Sequence, residues 1–252
     1  MVAPALREIP LESNSEALAF AEGLIAGAFD LVVLLTGVGT RALLAVVDHA
    51  GQRQAFVAAL ARANVAVRGP KPMAVLRELQ IQPWVAAPEP NTWRELLAAL
   101  DAKTGEAQLR GLRVAVQEYG TANPDLLRGL ETRGAQVTRV PVYRWALPED
   151  IEPLRGAVRA VAGGELDVAI FTTATQVVHL LQVAGTMGLE QKAREGLAKL
   201  VVASIGPTTS EELRQQGIAI DLEASHPKMG FLAREAAERS PDLCARKRDR
   251  AK

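Results

Sequence analysis

Three stretches of this chain place hydroxyl groups where an apolar run turns towards a helix, and these are the positions at which the sequence could do chemistry. In Ile205-Gly206-Pro207-Thr208-Thr209 the apolar run Leu200-Val201-Val202-Ala203 passes through glycine and proline to two threonines. Thr208 followed by Glu211 has capping-box spacing, which predicts a helix over Glu211–Gln216 closed by Gly217. Backbone N–H groups and hydroxyls at such a start, with about half a positive charge from the helix dipole, favour phosphate or carboxylate. The plainer reading of the same residues is a capped helix start and nothing more. Leu35-Thr36-Gly37-Val38 and Phe171-Thr172-Thr173-Ala174-Thr175 end two further apolar runs in the same way. Apart from these turns, the phenol of Tyr143 could donate a proton or a hydrogen bond.

The remaining reactive residue types exclude more than they suggest. His49, His179 and His226 are far apart and share no metal-ligand spacing with carboxylates or with the single cysteine, Cys244, so no metal site is expected. One cysteine forms no internal disulfide, which suits a reducing, cytoplasmic home. Lys plus Arg (29) equals Asp plus Glu (29), so a general polyelectrolyte partner such as nucleic acid or an anionic membrane is not expected, and an acidic ligand must be held locally. No apolar stretch approaches the roughly 20 residues of a membrane span. Neither a dinucleotide glycine pattern nor a P-loop is found, so no cofactor is expected.

The elements that must position the hydroxyl turns alternate between strand and helix. Asp30–Leu35 is continuously apolar after its aspartate, as for a parallel strand covered on both faces, and a helix carrying Leu43, Leu44 and Val47 follows. A helix near Gln52–Ala63 leads to the strand Val65–Val67, the turn Arg68-Gly69-Pro70-Lys71-Pro72 and the helix Met73–Leu79. Trp84–Ala86 is a short strand, Thr92–Leu100 a helix, Leu112–Gln117 a strand ending near Tyr119-Gly120, and Pro124–Arg133 a helix closed by Gly134. Laid on itself at the offset that carries Asp30 onto Asp167, the chain repeats without gaps. Thr36 falls on Thr173, Leu43-Leu44 on Leu180-Leu181, Gly69-Pro70 on Gly206-Pro207, Leu76-Arg77 on Leu213-Arg214 and Arg7 on Arg144. These identities sit at strand ends, turns and helix faces, which is the mark of a diverged duplication giving two similar α/β lobes. At this offset the counterpart of Leu112–Gln136 falls ahead of Met1. Two explanations stand: a start upstream of Met1, or a lost strand and helix.

Taken together, these residues resemble the uroporphyrinogen-III synthase family over nearly the whole chain. The Ile205–Thr209 turn with Leu213 matches the family's best-kept signature, the turns at Thr36 and Thr172–Thr175 match its strand-end hydroxyls, and Arg139-Val140-Pro141-Val142-Tyr143 matches its linker tyrosine. The resemblance implies two flavodoxin-like, Rossmann-like parallel-sheet lobes joined by a two-stranded extended linker. One lobe is then 11–136, the other 147–239 with its N-terminal strand and helix missing, the linker strands 4–10 and 137–146, and 240–252 a polar tail in which Arg246-Lys247-Arg248 is expected to be disordered.

The implied reaction closes hydroxymethylbilane, a linear tetrapyrrole bearing acetate and propionate groups, to uroporphyrinogen III with inversion of ring D and loss of water. Such a lyase needs no metal or redox cofactor; its substrate is a small molecule and a monomer is expected. Tyr143 is the candidate for assisting departure of the hydroxyl, beside a reading in which it only packs against Trp145. Substrate carboxylates are assigned to Thr36, Gly37, Gly69, Lys71, Tyr119, Gly120, Thr172, Thr173, Thr175, Gly206, Pro207, Thr208 and Thr209. Pro72 and Thr40-Arg41 depart from the family's commoner residues at their positions. A non-catalytic two-lobe tetrapyrrole-sensing or regulatory module of the same fold is the alternative.

Overall fold

Strands form where short apolar runs are covered on both faces. A computed structural model describes residues 1–11, 14–105, 109–118, 120 and 122–250. The chain divides into two compact units, Glu8–Trp145 and Met1–Arg7 with Ala146–Lys252. It passes between them within β1 (Arg7–Pro10) and β7 (Tyr143–Ala146), which form a two-stranded sheet.

In the first unit β2 (Leu31–Leu34), β3 (Asn64–Val67), β4 (Val85–Ala86), β5 (Arg113–Gln117) and β6 (Gln136–Val140) make one parallel sheet in the order β4-β3-β2-β5-β6. Alternation along β2 sends Val32 and Leu34 into one core with Phe20, Leu24, Leu43, Val47, Phe56 and Leu60. Those partners lie on α1 (Ser15–Ile25), α2 (Gly37–His49) and α3 (Arg53–Arg62). Leu31 and Val33 face the opposite core, with Leu96 and Leu100 of α5 (Trp93–Thr104) and Leu126 and Leu130 of α6 (Pro124–Glu131). A strand buried on both faces therefore reads as an unbroken apolar run rather than as alternation. Residues 137–140, expected in the linker, belong instead to β6, where pairing with β5 satisfies their backbone.

The second unit repeats the plan. The offset that carries Asp30 onto Asp167 carries the bounds of β2, β3 and β4 onto those of β8 (Val168–Phe171), β9 (Val201–Ser204) and β10 (Leu222–Glu223). It also carries α2, α3 and α4 (Pro70–Glu78) onto α8 (Ala174–Thr186), α9 (Glu190–Lys199) and α10 (Pro207–Gln215), residue for residue. Among the described residues this sheet has three strands, ordered β10-β9-β8. Leu154 and Val158 of α7 (Glu152–Gly163), with Leu180, Leu197 and Leu213, cover one face. Leu232 and Ala236 of α11 (Met229–Arg250) cover Ala203 and Leu222 on the other.

Arg246–Arg248 are helical, not disordered. Pro241 lies within α11 without ending it. Beyond it Lys247 donates to the Leu200 carbonyl at 2.6 Å and meets Asp221 at 2.6 Å, while Arg248 meets Asp167 at 2.8 Å. These bonds tie the last turns to the sheet and offset the donor that proline removes. Among the described residues no helix is long and apolar enough to cross a membrane.

Candidate functional site

The loops that follow the carboxyl ends of parallel strands are where open α/β sheets bind ligands, and every hydroxyl turn singled out above falls there. In the first unit Thr36 is the N-cap of α2, its Oγ1 accepting from the Gly39 N–H at 3.0 Å. The Tyr143 hydroxyl stands 3.5 Å from that same oxygen. Tyr143 is only 5% exposed and sets its ring edge-on against Trp145 at 5.3 Å, so it is a core residue whose polar end reaches the turn.

Neighbouring turns close in around this pair. A Cβ on Gly37 would lie 2.9 Å from the Lys71 carbonyl oxygen, so the turns after β2 and β3 are in backbone contact and only glycine fits. The Arg41 guanidinium grips Glu78 through two bonds of 2.9 and 2.6 Å, tying α2 to α4 beside these turns. Gly120, at φ +85°, bridges to Arg144, and a Cβ there would lie 2.5 Å from Trp145 Nε1. Thr36, Gly37, Lys71, Gly120 and Tyr143 are thus gathered at one end of this sheet. Gly69 sits one turn away, against Asn91, and Tyr119 lies outside the described residues.

Sequence reasoning missed a glutamine beneath this turn. Gln117, the buried last residue of β5, accepts through Oε1 from the Leu35 and Thr36 N–H groups, both at 3.3 Å, and donates to the Glu118 carbonyl. Gly39 leaves room for it, since a Cβ there would overlap the Gln117 amide. Glu118 is buried as well and holds Arg139 at 2.5 Å, and this bond keeps the guanidinium above its usual range.

The second unit solves the same problem differently. The repeat places Gln176 on Gly39, and its Oε1 accepts from Thr172 N–H at 2.7 Å, Thr173 N–H at 3.2 Å and the Thr172 hydroxyl at 3.2 Å. Thr173 Oγ1 returns the bond by accepting from the Gln176 N–H, which completes a capping box. The exchange of Gly39 for Gln176 between repeats was the signal in the sequence that another group fills the space at Gly39.

At the Gly-Pro turns the cap position is glycine, so among the described residues no cap side chain accepts from the first-turn amides. Helix α10 begins at Pro207, a turn earlier than the expected Glu211, and α4 begins at Pro70 rather than Met73. Proline at the first helical position has no N–H to satisfy and a φ already helical. Thr208 is consequently inside the first turn and does not cap it; Gly206 is the N-cap, and neither α4 nor α10 has a side-chain cap. Thr208 is half-buried, whereas Thr209 is buried and points away from solvent. Ser204 Oγ accepts from the Gly206 N–H at 3.3 Å and is joined at 2.9 Å by Ser210, which also donates to Glu223. The expected threonines therefore separate into Thr173, engaged as a cap, and Thr208, beside uncapped first-turn amides that favour an anionic acceptor.

Of the three histidines, His179 is spent on the Ala5 carbonyl at 2.6 Å. Among the described residues no group of three or more His, Cys, Asp or Glu could hold a metal ion.

Comparison with known proteins agrees with this architecture. A protein of Bacillus subtilis (strain 168) named "Uncharacterized protein YjjA" is 31% identical over 210 residues, spanning 83% of this chain and 76% of that protein. A triply substituted selenomethionine uroporphyrinogen III synthase of the extremely thermophilic bacterium Thermus thermophilus superposes with a TM-score of 0.70 at 24% identity, covering 96% of this chain and 89% of that one. The wild-type protein in another crystal form gives 0.55 at 27% identity, with coverages of 94% and 85%. The family model described as "Uroporphyrinogen-III synthase HemD" matches residues 1–234. With the duplicated parallel-sheet lobes and their strand-end turns, these findings show that the chain belongs to the uroporphyrinogen-III synthase family.

Proposed function

We propose that this protein cyclises hydroxymethylbilane to uroporphyrinogen III with inversion of ring D and release of one water. The observation that carries this reading, beyond family membership, is the Tyr143 hydroxyl held 3.5 Å from Thr36 Oγ1 at the carboxyl ends of the first sheet. A buried phenol fixed beside a hydroxyl turn can donate to a departing hydroxyl, while neighbouring N–H groups hold the substrate's carboxylates. Departure of the ring A hydroxyl leaves an azafulvene cation, which the substituted carbon of ring D attacks to give a spiro intermediate. Reopening and reclosure then invert ring D. Without a catalyst the bilane closes with ring D unchanged, so the work required of the protein is positioning. Uncapped first-turn amides at α4 and α10, with Lys71 and Thr208 beside them, are suited to gripping acetate and propionate groups. No metal or redox group enters this route, in which water is the only leaving species.

The test supplies freshly made hydroxymethylbilane and separates the type I and type III products. Type III product formed faster than the uncatalysed type I background supports the reading, and type I product alone overturns it in favour of a non-catalytic tetrapyrrole-binding module. Tyr143→Phe keeps the ring packed against Trp145, so its fold should stand while turnover falls about 10-fold or more, in the range expected of a modest general acid. Unchanged turnover would remove Tyr143 from the chemistry and leave it a packing residue.

A further inference from the structure

Beside the Gly206-Pro207 turn lie three polar side chains that the proposed reaction does not use. The offset that carries Asp30 onto Asp167 carries Val67 onto Ser204, Met73 onto Ser210 and Ala86 onto Glu223. In the first lobe Val67 is buried in the core and Met73 packs against that core. None of Val67, Met73 and Ala86 has a side-chain proton to donate, so at these places the Gly69-Pro70 turn rests on apolar packing. The second lobe puts hydroxyls there instead, and Ser204 and Ser210 are both 0% exposed. Buried hydroxyls are tolerated when they are hydrogen-bonded. These two are joined to each other at 2.9 Å, to the Gly206 N–H at 3.3 Å and to the carboxylate of Glu223.

Counting protons gives the cluster a direction. Each serine hydroxyl has one proton to donate. The Glu223 carboxylate takes that of Ser210, so Ser210 Oγ accepts the proton of Ser204, whose Oγ accepts from the Gly206 N–H. The bonds therefore run one way, from Gly206 through Ser204 and Ser210 to Glu223. Without Glu223 the Ser210 proton turns back to Ser204, and the Ser204 proton turns to the Gly206 carbonyl at 3.1 Å. Two arrangements then compete where one stood. Ser204 ends β9, Glu223 ends β10 and Ser210 lies on α10, so the chain of bonds pins the first turn of α10 to two strands at once. Pro227 limits the turn from another direction, leaving a Cβ on Gly206 only 3.1 Å from its own Cβ.

We propose that Ser204, Ser210 and Glu223 are positioning residues for anion binding at α10, a role that rests on the reaction proposed above. Pro207 has no N–H, and that of Gly206 is turned inward to Ser204. The first-turn donors left to a ligand are the Thr208 and Thr209 amides with the Thr208 hydroxyl, and their direction is set by how Gly206 is held. Fixing Gly206 aims them at one substrate carboxylate before it arrives, so that binding does not have to order the turn. Glu223 acts through Ser210 and makes no contact with substrate.

The test compares Ser210→Ala, Glu223→Ala and Glu223→Gln with the parent in the hydroxymethylbilane assay. Both alanine variants should raise KM about 3–10-fold while kcat stays within about 2-fold, the pattern of lost binding rather than lost chemistry. Glu223→Gln keeps an oxygen that accepts from Ser210 and should restore KM to within about 2-fold of the parent. Ser210→Ala combined with Glu223→Ala should be no worse than either alone, since both cut one chain of bonds. The Gly206 and Thr208 amides should exchange with solvent about 3-fold or more faster in the alanine variants and at the parental rate in Glu223→Gln. Glu223 is exposed, so its variants report on the turn even if Ser210→Ala does not fold. Unchanged amide exchange overturns the chain of bonds. Faster exchange with KM unchanged, or KM raised as much by Glu223→Gln as by Glu223→Ala, overturns the positioning role. A KM that falls in both Glu223 variants also overturns it and assigns the carboxylate to repulsion of substrate. Absence of type III product from the parent is a failure of the proposed reaction instead; the dissociation constant of uroporphyrin III, followed by its fluorescence anisotropy, then replaces KM in the same comparison.

Discussion

Exchanging the two lobes' solutions to one hydrogen-bonding problem gives a quantitative test. Gln117→Ala removes the acceptor for the Leu35 and Thr36 N–H groups, the first of which is buried. Buried donors left without acceptors, together with the space vacated, should cost about 2–3 kcal/mol. Gly39→Gln alone forces a second carboxamide into the volume of Gln117, whose Cδ lies 2.5 Å from where the new Cβ must go, and overpacking of this kind costs about 2 kcal/mol. Combining the two reproduces the second lobe, in which Gln176 accepts from the equivalent N–H groups. The double variant should fall within about 1 kcal/mol of the parent, a favourable coupling of about 3 kcal/mol. Urea denaturation followed by tryptophan fluorescence isolates the effect, because Trp84, Trp93 and Trp145 all lie in the first unit. If the double variant is as unstable as the sum of the single ones, Gln117 and Gln176 do not perform the same task and the structural equivalence of the two turns fails.

Other outcomes follow from single features. The Arg113 hydrogen bonds hold the Asp30 carboxyl at about 2 instead of its ordinary 3.8, so this pair stabilises the fold fully above about pH 4 and its contribution disappears as pH falls from about 4 to about 2. With the side chain one-third exposed, that contribution is about 1 kcal/mol, and Asp30→Asn should flatten the acid limb of the first unit's stability curve by this amount. Gly120→Ala meets both φ +85° and the Trp145 ring, and should lower stability by about 2 kcal/mol or more, seen as an earlier urea midpoint and altered tryptophan emission. Thr208→Val should raise KM for the bilane about 3–10-fold with little change in unfolding midpoint, as expected for loss of one hydrogen bond to a charged group. The buried Thr209→Val should leave KM unchanged; a larger effect at Thr209 than at Thr208 would refute the division made between them.

The alternating elements and their duplication were legible because both rest on local patterns. Buried parallel strands leave unbroken apolar runs such as Leu31–Leu34, and their partners recur at a constant distance along the chain. Helix starts were less legible. The Thr208–Glu211 spacing drew attention from Pro207, which begins α10 through its fixed φ without any side-chain cap. The polar tail likewise read as disordered, although Lys247 and Arg248 hold α11 to the sheet beyond Pro241. β6 read as linker because Arg139-Val140 begin the stretch that resembles the family's linker, whereas the strand pairs with β5, one helix earlier in the chain. Of the candidate site, the sequence singled out Thr36 and Tyr143, which lie together, whereas Gln117 could not be placed beneath Thr36 without knowing that β5 is the neighbour of β2.

The two glutamines also set when each turn can form. Gln176 reaches amides three and four residues away, so the turn after β8 completes its own hydrogen bonding as soon as α8 begins to wind. The turn after β2 waits for Gln117, 82 residues beyond Leu35, and with it for closure of a loop that contains α2 through α5. Contacts so distant in sequence slow the assembly of a sheet. The candidate-site end of the first lobe is therefore expected to consolidate only once β5 has inserted, while the matching turn of its repeat needs only local contacts.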